Sequence, residues 1–231
     1  MGIGANDFAI NGEINPKSIL VTDINQERLD SAKKLISKEE AEKKGIELIY
    51  LNTSNLNSKE ILDIVKKDGF DDVFVFAAVK ELLMQADNLL GNDGCLNFFA
   101  GPTDKEFKVP FNFYHVHYSS THLVGTSGGS TDDMLESLKL SSDKRINPSY
   151  MITHIGGLNA APETIINLKE NNYDGKCLIY PHIDMELTAI DDFEKLGKKD
   201  KLFKKLDTIL KNNNGIWCKE AEDFLLNYKI D

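Results

Sequence analysis

The stretch "SILVTDINQERLDSAKKL" (residues 18–35) joins two patterns that together indicate one class of fold. Its first part, "SILVTD", is a short apolar run rich in β-branched residues, which is typical of a strand buried on both faces. In the second part and just beyond it, Leu29, Ala32, Leu35 and Ile36 recur at helical spacing. A buried strand followed directly by an amphipathic helix predicts one unit of an α/β sheet.

Four further apolar runs repeat this alternation along the first 145 residues, with helical patterns between them. They are "IELIYLN" (46–52), "DVFVFAA" (72–78), "CLNFFAG" (95–101) and "THLVGTS" (121–127). Each predicts a strand of one doubly wound parallel sheet. After about residue 145 the pattern changes to a helix, a short strand and two amphipathic helices. We therefore expect two parts, residues 1–145 with the sheet and residues 146–231 as a mixed α/β and helical tail.

Composition narrows the range of partners. The chain has 231 residues, of which 41% are hydrophobic and 28% charged, enough for a substantial core. The net charge of −10 disfavours nucleic acid and anionic membrane surfaces and favours small molecules or proteins. No apolar run is long enough to span a bilayer. Three widely spaced cysteines without a C-x-x-C pair fit reduced thiols, which predicts a cytoplasmic protein.

Asp23 is the first candidate binding residue, because it ends an apolar strand about 20 residues after Gly2. A carboxylate at this place in a Rossmann pattern accepts hydrogen bonds from an adenosine ribose and repels a 2′-phosphate, which favours NAD over NADP. The alternative is that Asp23 or Asn25 only caps the next helix. Arg28 could flank the ribose or be an ordinary surface arginine.

Small residues at the ends of three successive strands give a second signal. Ligands of open parallel sheets lie outside the carboxyl ends of the strands, and small residues let their rings approach the backbone. The pattern therefore predicts a nucleotide-type ligand. The small residues are Ala77 and Ala78, then Ala100 and Gly101, then those from Thr126 to Gly129.

The segments "MGIGANDFAI", "DDVFVFAAVKELLMQADNLLGNDGCLNFFAGP" and "HLVGTSGGSTDDM", with residues 18–35 and 146–181, resemble the zinc-dependent medium-chain alcohol dehydrogenase family. Within it the chain is most similar to the sorbitol and L-sorbose 1-phosphate reductase branch. The resemblance implies that Gly2 is the third glycine of the G-x-G-x-x-G fingerprint, with Asp23 as the ribose-binding acid and Arg28 beside it. It also implies that Ala78 and Val79 line the adenosine side, and that Gly101, Thr126 and Ser127 lie near the nicotinamide.

In that family a strand, two more glycines and a domain with the catalytic zinc ligands precede the position of Gly2. The resemblance therefore implies a Rossmann-like sheet lacking its first strand, with zinc held only in the missing domain. We expect no catalytic residue and no metal ligand in this chain. His115, His117, His122, His154 and His182 lie at no zinc-ligand spacing, and we interpret them as structural.

Three functions remain open at this point. The first is the coenzyme-binding part of an NAD-dependent polyol or sugar-phosphate dehydrogenase or reductase, inactive alone. The second is a non-catalytic nucleotide-binding or assembly subunit, and the third is a methyltransferase. We expect a homo-oligomer formed partly through residues 150–231, because the apolar sides of "MITHIGGL" (151–158) and of the last two helices would lack part of their cover.

The missing strand raises the question of how the sheet closes. Strands lie about 4.8 Å apart, so an empty place would leave "SILVTD" and "DVFVFAA" roughly 10 Å apart with two rows of unpaired backbone groups. Burying such groups costs about 1–3 kcal/mol each. We therefore expect direct pairing of these two strands, or a sequence lacking residues of the full protein, in preference to a strand donated by another segment. Direct pairing would displace the turn at Gly2 and weaken NAD binding.

Overall fold

The computed structural model describes residues 2–12, 14–170, 173 and 175–228. Its strands are β1 (Ser18–Asp23), β2 (Glu47–Asn52), β3 (Phe70–Val75), β4 (Leu90–Phe98), β5 (His122–Gly125), β6 (Ile152–Gly157), β7 (Lys176–Tyr180) and β8 (Thr188–Ala189). Its α-helices are α1 (Gly2–Asn11), α2 (Gln26–Leu35), α3 (Lys38–Glu42), α4 (Ser58–Val65), α5 (Lys80–Asp87), α6 (Phe113–Tyr118), α7 (Thr131–Ser142), α8 (Ala161–Lys169), α9 (Phe193–Leu196), α10 (Lys201–Asn212) and α11 (Lys219–Asn227).

The strands form parallel sheets flanked by helices, which confirms the predicted α/β class. β1 pairs with β2 in parallel, from Ser18 opposite Glu47 to Asp23 opposite Asn52. β4 pairs in parallel with β3 on one side and with β5 on the other. In the tail β6 lies between β7, which is parallel to it, and β8, which is antiparallel. The observed β1 has the residues of the run "SILVTD".

The direct pairing of β1 with β3 that we expected is wrong. Within the described residues β1 and β2 form a separate two-stranded sheet, and β3, β4 and β5 form a three-stranded one. The expectation assumed that unpaired edges would be buried. Phe74 at the end of β3 and Phe76 just after it are 53% and 36% exposed, so this region is open to water. Hydrated backbone groups avoid most of the cost of buried ones.

Helix α1 packs on the β1–β2 sheet and is tied to the tail. Ile10 of α1 is buried in one cluster with Leu29 of α2 and Leu48 of β2. Asp7, also buried, accepts a hydrogen bond from the backbone N–H of Asn147 at 2.6 Å. These contacts cross residue 145, and the division into residues 1–145 and 146–231 stays a prediction.

The expectation of uncovered apolar faces on the last two helices is also wrong. Leu206 of α10 and Ala221 of α11 are fully buried, in one cluster with Ile155 of β6 and with Trp217. The two helices pack on the tail sheet and on each other, so they cover their own apolar sides. Of "MITHIGGL", Ile155 is buried and Leu158 is 56% exposed. Association through residues 150–231 stays a prediction, without support from the last two helices.

Exposed apolar side chains lie instead on β5 and on helix α7. All four residues of β5 are exposed, including Leu123 at 55% and Val124 at 41%, although the sequence predicted burial on both faces. β5 is the last strand of its sheet in the described residues. Helix α7 also exposes Met134, Leu135 and Leu138.

Candidate functional site

The start of α1 and the carboxyl end of β1 enclose a cavity of about 250 Å³, here called the β1 cavity. Three predicted binding residues, Gly2, Asp23 and Arg28, line it together. Its wall also contains Ile3, Asn6, Val21, Thr22, Leu29, Ala32 and Phe76. The carboxyl end of a parallel strand and the amino end of a helix therefore meet here, the usual place for a ligand in an open α/β sheet.

Asp23 is held at the end of β1 by the turn that starts α2. Its Oδ1 accepts a hydrogen bond from the backbone N–H of Asn25 at 2.8 Å. The Asn25 side chain in turn accepts from the backbone N–H groups of Glu27 and Arg28, at 2.8 and 3.3 Å, and so caps α2. Asn25 is thus the helix cap that the alternative interpretation proposed. Asp23 takes part in the same turn, and its half-buried side chain also lines the cavity.

Gly2 begins α1 at the mouth of the β1 cavity. A Cβ atom at this position would lie 3.7 Å from the ring of Phe76, in ordinary contact distance. A larger side chain would therefore occupy the space between the helix and the ring. The first turn of a helix leaves backbone N–H groups without partners in the helix, and these favour anions.

Asn6 is a cavity residue that sequence reasoning missed. It is 4% exposed, and its Nδ2 donates to the Tyr50 hydroxyl at 3.2 Å. The Tyr50 hydroxyl itself donates to the carbonyl of Ile36 at 2.8 Å, so its oxygen must act as the acceptor for Asn6. This fixes the orientation of the amide and leaves Asn6 Oδ1 buried without a partner. Burial raises the pKa of Tyr50 to about 12, so the phenol keeps this proton at neutral pH. The one available signal was the pair Asn6-Asp7 inside an apolar helix.

A second cavity, of about 500 Å³, adjoins the first at Phe76 and is here called the β3 cavity. Sequence reasoning did not foresee it. Phe74, Phe76 and Phe99 supply an aromatic wall, and Asn97 of β4 has its Oδ1 buried without a partner. The rest of the lining comes from Gly4, Ala5, Asp7, Phe8, Asp133, Glu136, Ser137, Leu140, Ile146, Asn147, Pro148 and Met151.

The other predicted binding residues lie elsewhere among the described residues, and none of them lines either cavity. Val79 precedes α5 and is 46% exposed, next to the exposed Ala78. Gly101 has no heavy atom within 4 Å of its would-be Cβ. Thr126 and Ser127 are exposed in the loop between β5 and α7. Their roles stay predictions.

The histidines form no metal centre in the part of the chain that the structure describes, where no group of three or more His, Cys, Asp or Glu could hold an ion. His122 Nε2 lies 3.0 Å from Asp93 Oδ1. His154 Nδ1 lies 2.9 Å from the Thr153 hydroxyl, and burial lowers its pKa. His115 and His117 lie on α6. No described helix has the length and apolar character needed to cross a membrane.

Comparison with known proteins decides the family. Residues 2–143 match the profile of the zinc-binding dehydrogenases. The chain belongs to this family. This zinc-binding dehydrogenase chain is 59% identical over 230 residues to mannitol-1-phosphate 5-dehydrogenase of Aliivibrio fischeri, covering 99% of the chain and 54% of that protein. It is 40% identical to L-sorbose 1-phosphate reductase of Klebsiella pneumoniae, covering 100% of the chain and 53% of that protein.

Solved structures agree with the fold. An alcohol dehydrogenase of Escherichia coli, crystallised with NADH, superimposes with a TM-score of 0.58 at 16% identity, over 75% of the chain and 47% of that protein. The coverage of 54% and 53% shows that the chain spans about half the length of the curated relatives that it matches. Membership of this family gives no support to the methyltransferase interpretation.

Proposed function

We propose that the chain is the coenzyme-binding part of a dinucleotide-dependent polyol or sugar-phosphate dehydrogenase and that it prefers NAD to NADP. One observation carries the proposal: Gly2, Asp23 and Arg28, far apart in sequence, line one cavity where β1 ends and α1 begins. Relatives named for mannitol 1-phosphate and L-sorbose 1-phosphate chemistry support the substrate class. Three free cysteines are consistent with a reducing, cytoplasmic location.

The β1 cavity fits one part of a dinucleotide. Its volume of about 250 Å³ is below the roughly 300–1,000 Å³ of pockets that enclose a whole ligand. Asp23 supplies carboxylate oxygens for the ribose hydroxyls, and the first turn of α1 supplies N–H groups for a phosphate. The nicotinamide end, which carries the hydride chemistry when bound, would extend toward Gly101, Thr126 and Ser127.

The preference for NAD rests on charge. A 2′-phosphate on the ribose would lie beside the Asp23 carboxylate, and these two negative charges would repel each other. Arg28 lines the same cavity. The carboxylate should therefore decide the preference.

Calorimetric titration with NAD and NADP tests the proposal. We expect tighter binding of NAD, and Asp23→Ala should narrow the difference by about tenfold or more. Asp132→Ala, which removes an exposed carboxylate from α7, is the matched control and should leave the ratio unchanged. Tighter binding of NADP by the unmodified chain would contradict the assignment of Asp23.

The complete activity is proposed to need the part of the relatives that this chain does not span. Among the described residues no cluster could hold zinc, and we assign the metal to that other part. The chain alone should therefore neither oxidise mannitol 1-phosphate nor reduce L-sorbose 1-phosphate. Turnover of either compound by the purified chain would refute this.

A further inference from the structure

Asn6 brings a buried hydrogen-bond acceptor into the β1 cavity, one turn of α1 beyond Gly2. Its side chain is 4% exposed, and its Oδ1 has no hydrogen-bond partner among the described residues. Native proteins leave few buried polar atoms unpaired, so such an atom indicates a partner from outside the chain, a ligand or an ordered water. Because Asn6 lines the same cavity as Asp23, the ligand of that cavity is the nearest source of a donor.

The contacts of Tyr50 decide which atom of the Asn6 amide is left for a ligand. The Tyr50 hydroxyl has one proton and lies 2.8 Å from the carbonyl oxygen of Ile36 and 3.2 Å from Asn6 Nδ2. The carbonyl can only accept, so it takes this proton, and the hydroxyl oxygen accepts from the amide. A reversed amide would place two acceptors against the single hydroxyl proton. The atom left for a ligand is therefore an acceptor oxygen.

The surroundings of Asn6 make this acceptor selective. Apolar side chains form much of the same cavity wall, namely those of Ile3, Val21, Leu29 and Ala32. A hydrogen bond made in such surroundings has little competition from bulk water. A ligand that fills the cavity without offering a donor leaves the Asn6 oxygen unpaired, and sites built to pair with a hydroxyl reject analogues that lack it.

The chemistry of a ribose matches the acceptors of the β1 cavity. Asp23 and Asn6 each bring a side-chain oxygen that can only accept, and a ribose offers hydroxyl donors on two neighbouring carbons. The charge argument above places the 2′ position beside Asp23, so the 3′-hydroxyl is the donor that remains for Asn6. The cavity volume of about 250 Å³ suits this part of the ligand, while the adenine would lie outside it, toward Ala78 and Val79.

We infer that Asn6 is a specificity-determining residue of the β1 cavity, whose Oδ1 accepts a hydrogen bond from the 3′-hydroxyl of the adenosine ribose. The inference rests on the proposed function, because that proposal assigns the ribose to this cavity. It adds a selection that Asp23 alone does not supply. A nucleotide with a 3′-phosphate ester or a 3′-deoxy sugar has no proton at this place, so the cavity selects adenosine nucleotides with a free 3′-hydroxyl.

Calorimetric titration of the unmodified chain with ADP, 2′-deoxy-ADP and 3′-deoxy-ADP tests the inference without any substitution. We expect the loss of the 3′-hydroxyl to raise the Kd about tenfold or more, because Asn6 would lose its donor. Asp23→Ala should abolish the effect of the 2′-deoxy sugar and keep that of the 3′-deoxy sugar. The two hydroxyl groups would then be assigned to two different side chains.

Asn6→Leu removes the acceptor, so ADP and 3′-deoxy-ADP should bind this variant with Kd values within about twofold of each other. Asn97→Leu is the matched control, because Asn97 Oδ1 is also buried without a partner but lines the β3 cavity. This control should keep the tenfold difference. Because Asn6→Leu also loses the hydrogen bond to Tyr50, urea denaturation checks that it is folded, and Asn6→Ala is the second variant.

Two results would overturn the inference alone. One is equal Kd values of the unmodified chain for ADP and 3′-deoxy-ADP, which would leave a water as the partner of Asn6. The other is a tenfold difference that persists in the folded Asn6 variants. Neither touches the preference for NAD, which is measured with NAD, NADP and Asp23→Ala. Absence of binding for ADP and NAD alike would refute the proposed function and this inference with it.

Discussion

Tyr50 and Asn6 form the buried link between β2 and α1, and a cycle of substitutions can measure it. In Tyr50→Phe the phenol oxygen is removed from a side chain that is 8% exposed. Asn6 Nδ2 then loses its acceptor, and the carbonyl of Ile36 loses its donor. An unsatisfied buried group costs about 1–3 kcal/mol, so the free energy of unfolding should fall by about that amount or somewhat more.

The second substitution follows from the orphan oxygen. Because Asn6 Oδ1 already lacks a partner, Tyr50→Phe leaves the whole amide buried without one. Asn6→Leu replaces this amide by an apolar group of similar size. The double variant should therefore be more stable than Tyr50→Phe alone, with a coupling of about 0.5–3 kcal/mol.

Urea denaturation followed by circular dichroism supplies the free energies. Tyr114→Phe is the control, because Tyr114 is 66% exposed and its change should be within about 0.5 kcal/mol of zero. Burial raises the pKa of Tyr50, so folding favours the protonated phenol. The stability from this group is complete below the ordinary pKa of 10 and is lost as the pH rises toward 12. Additive losses for the two substitutions, or equal stability of Tyr50→Phe and Tyr114→Phe, would refute the reasoning.

Three further predictions concern the tail and metal binding. The Tyr180 hydroxyl donates to Glu222 and lowers the pKa of its carboxyl. The stability lost in Tyr180→Phe should therefore be greatest at neutral pH and should shrink as the pH falls below the ordinary value of 4.5. Urea titrations at several pH values measure this loss, and a loss that does not change with pH would contradict the prediction. Leu206→Ala should lower the unfolding free energy by about 2–5 kcal/mol, while Leu138→Ala, at an exposed position, should change it by less than about 0.5 kcal/mol in the same assay. Metal analysis of the dialysed chain should find no stoichiometric zinc, and one tightly held ion per chain would refute this.

Elements with strong local signals could be predicted from the sequence. The run "SILVTD" ends where β1 ends, because its last residue, Asp23, accepts a hydrogen bond from the backbone of Asn25 in the turn that begins α2. Helix α10 could be predicted from Phe203, Leu206, Ile209 and Leu210, which recur at helical spacing and pack into the tail core.

Only those site residues could be predicted that lie in one strand–turn–helix unit or at the start of a helix. Asp23 and Arg28 belong to one strand–turn–helix unit, and Gly2 lies at a helix start, so their meeting follows from the topology of such units. Asn6 was missed because its partner Tyr50 lies 44 residues away on another element. The polar pair Asn6-Asp7 in an apolar helix is a local signal of burial, but it does not identify the partner on the distant element.

The separation of the two sheets depends on how α1 is anchored. Pairing of β1 with β3 would close the β1 cavity, and we expect this to shift α1, which lines that cavity with Gly2, Ile3 and Asn6. Three contacts hold α1 in place. Ile10 is buried in the cluster with Leu29 and Leu48, and Asp7 and Asn6 form hydrogen bonds with the Asn147 backbone and the Tyr50 hydroxyl. Burial of one large apolar side chain contributes about 1.5–3 kcal/mol, and each hydrogen bond contributes about 1 kcal/mol more.

New ladder bonds between β1 and β3 would replace bonds that the open edges can already make with water, so each would add only about 0.5–1.5 kcal/mol. The difference between these two free energies depends on hydration, because a strand edge that stays hydrated gains little free energy by pairing.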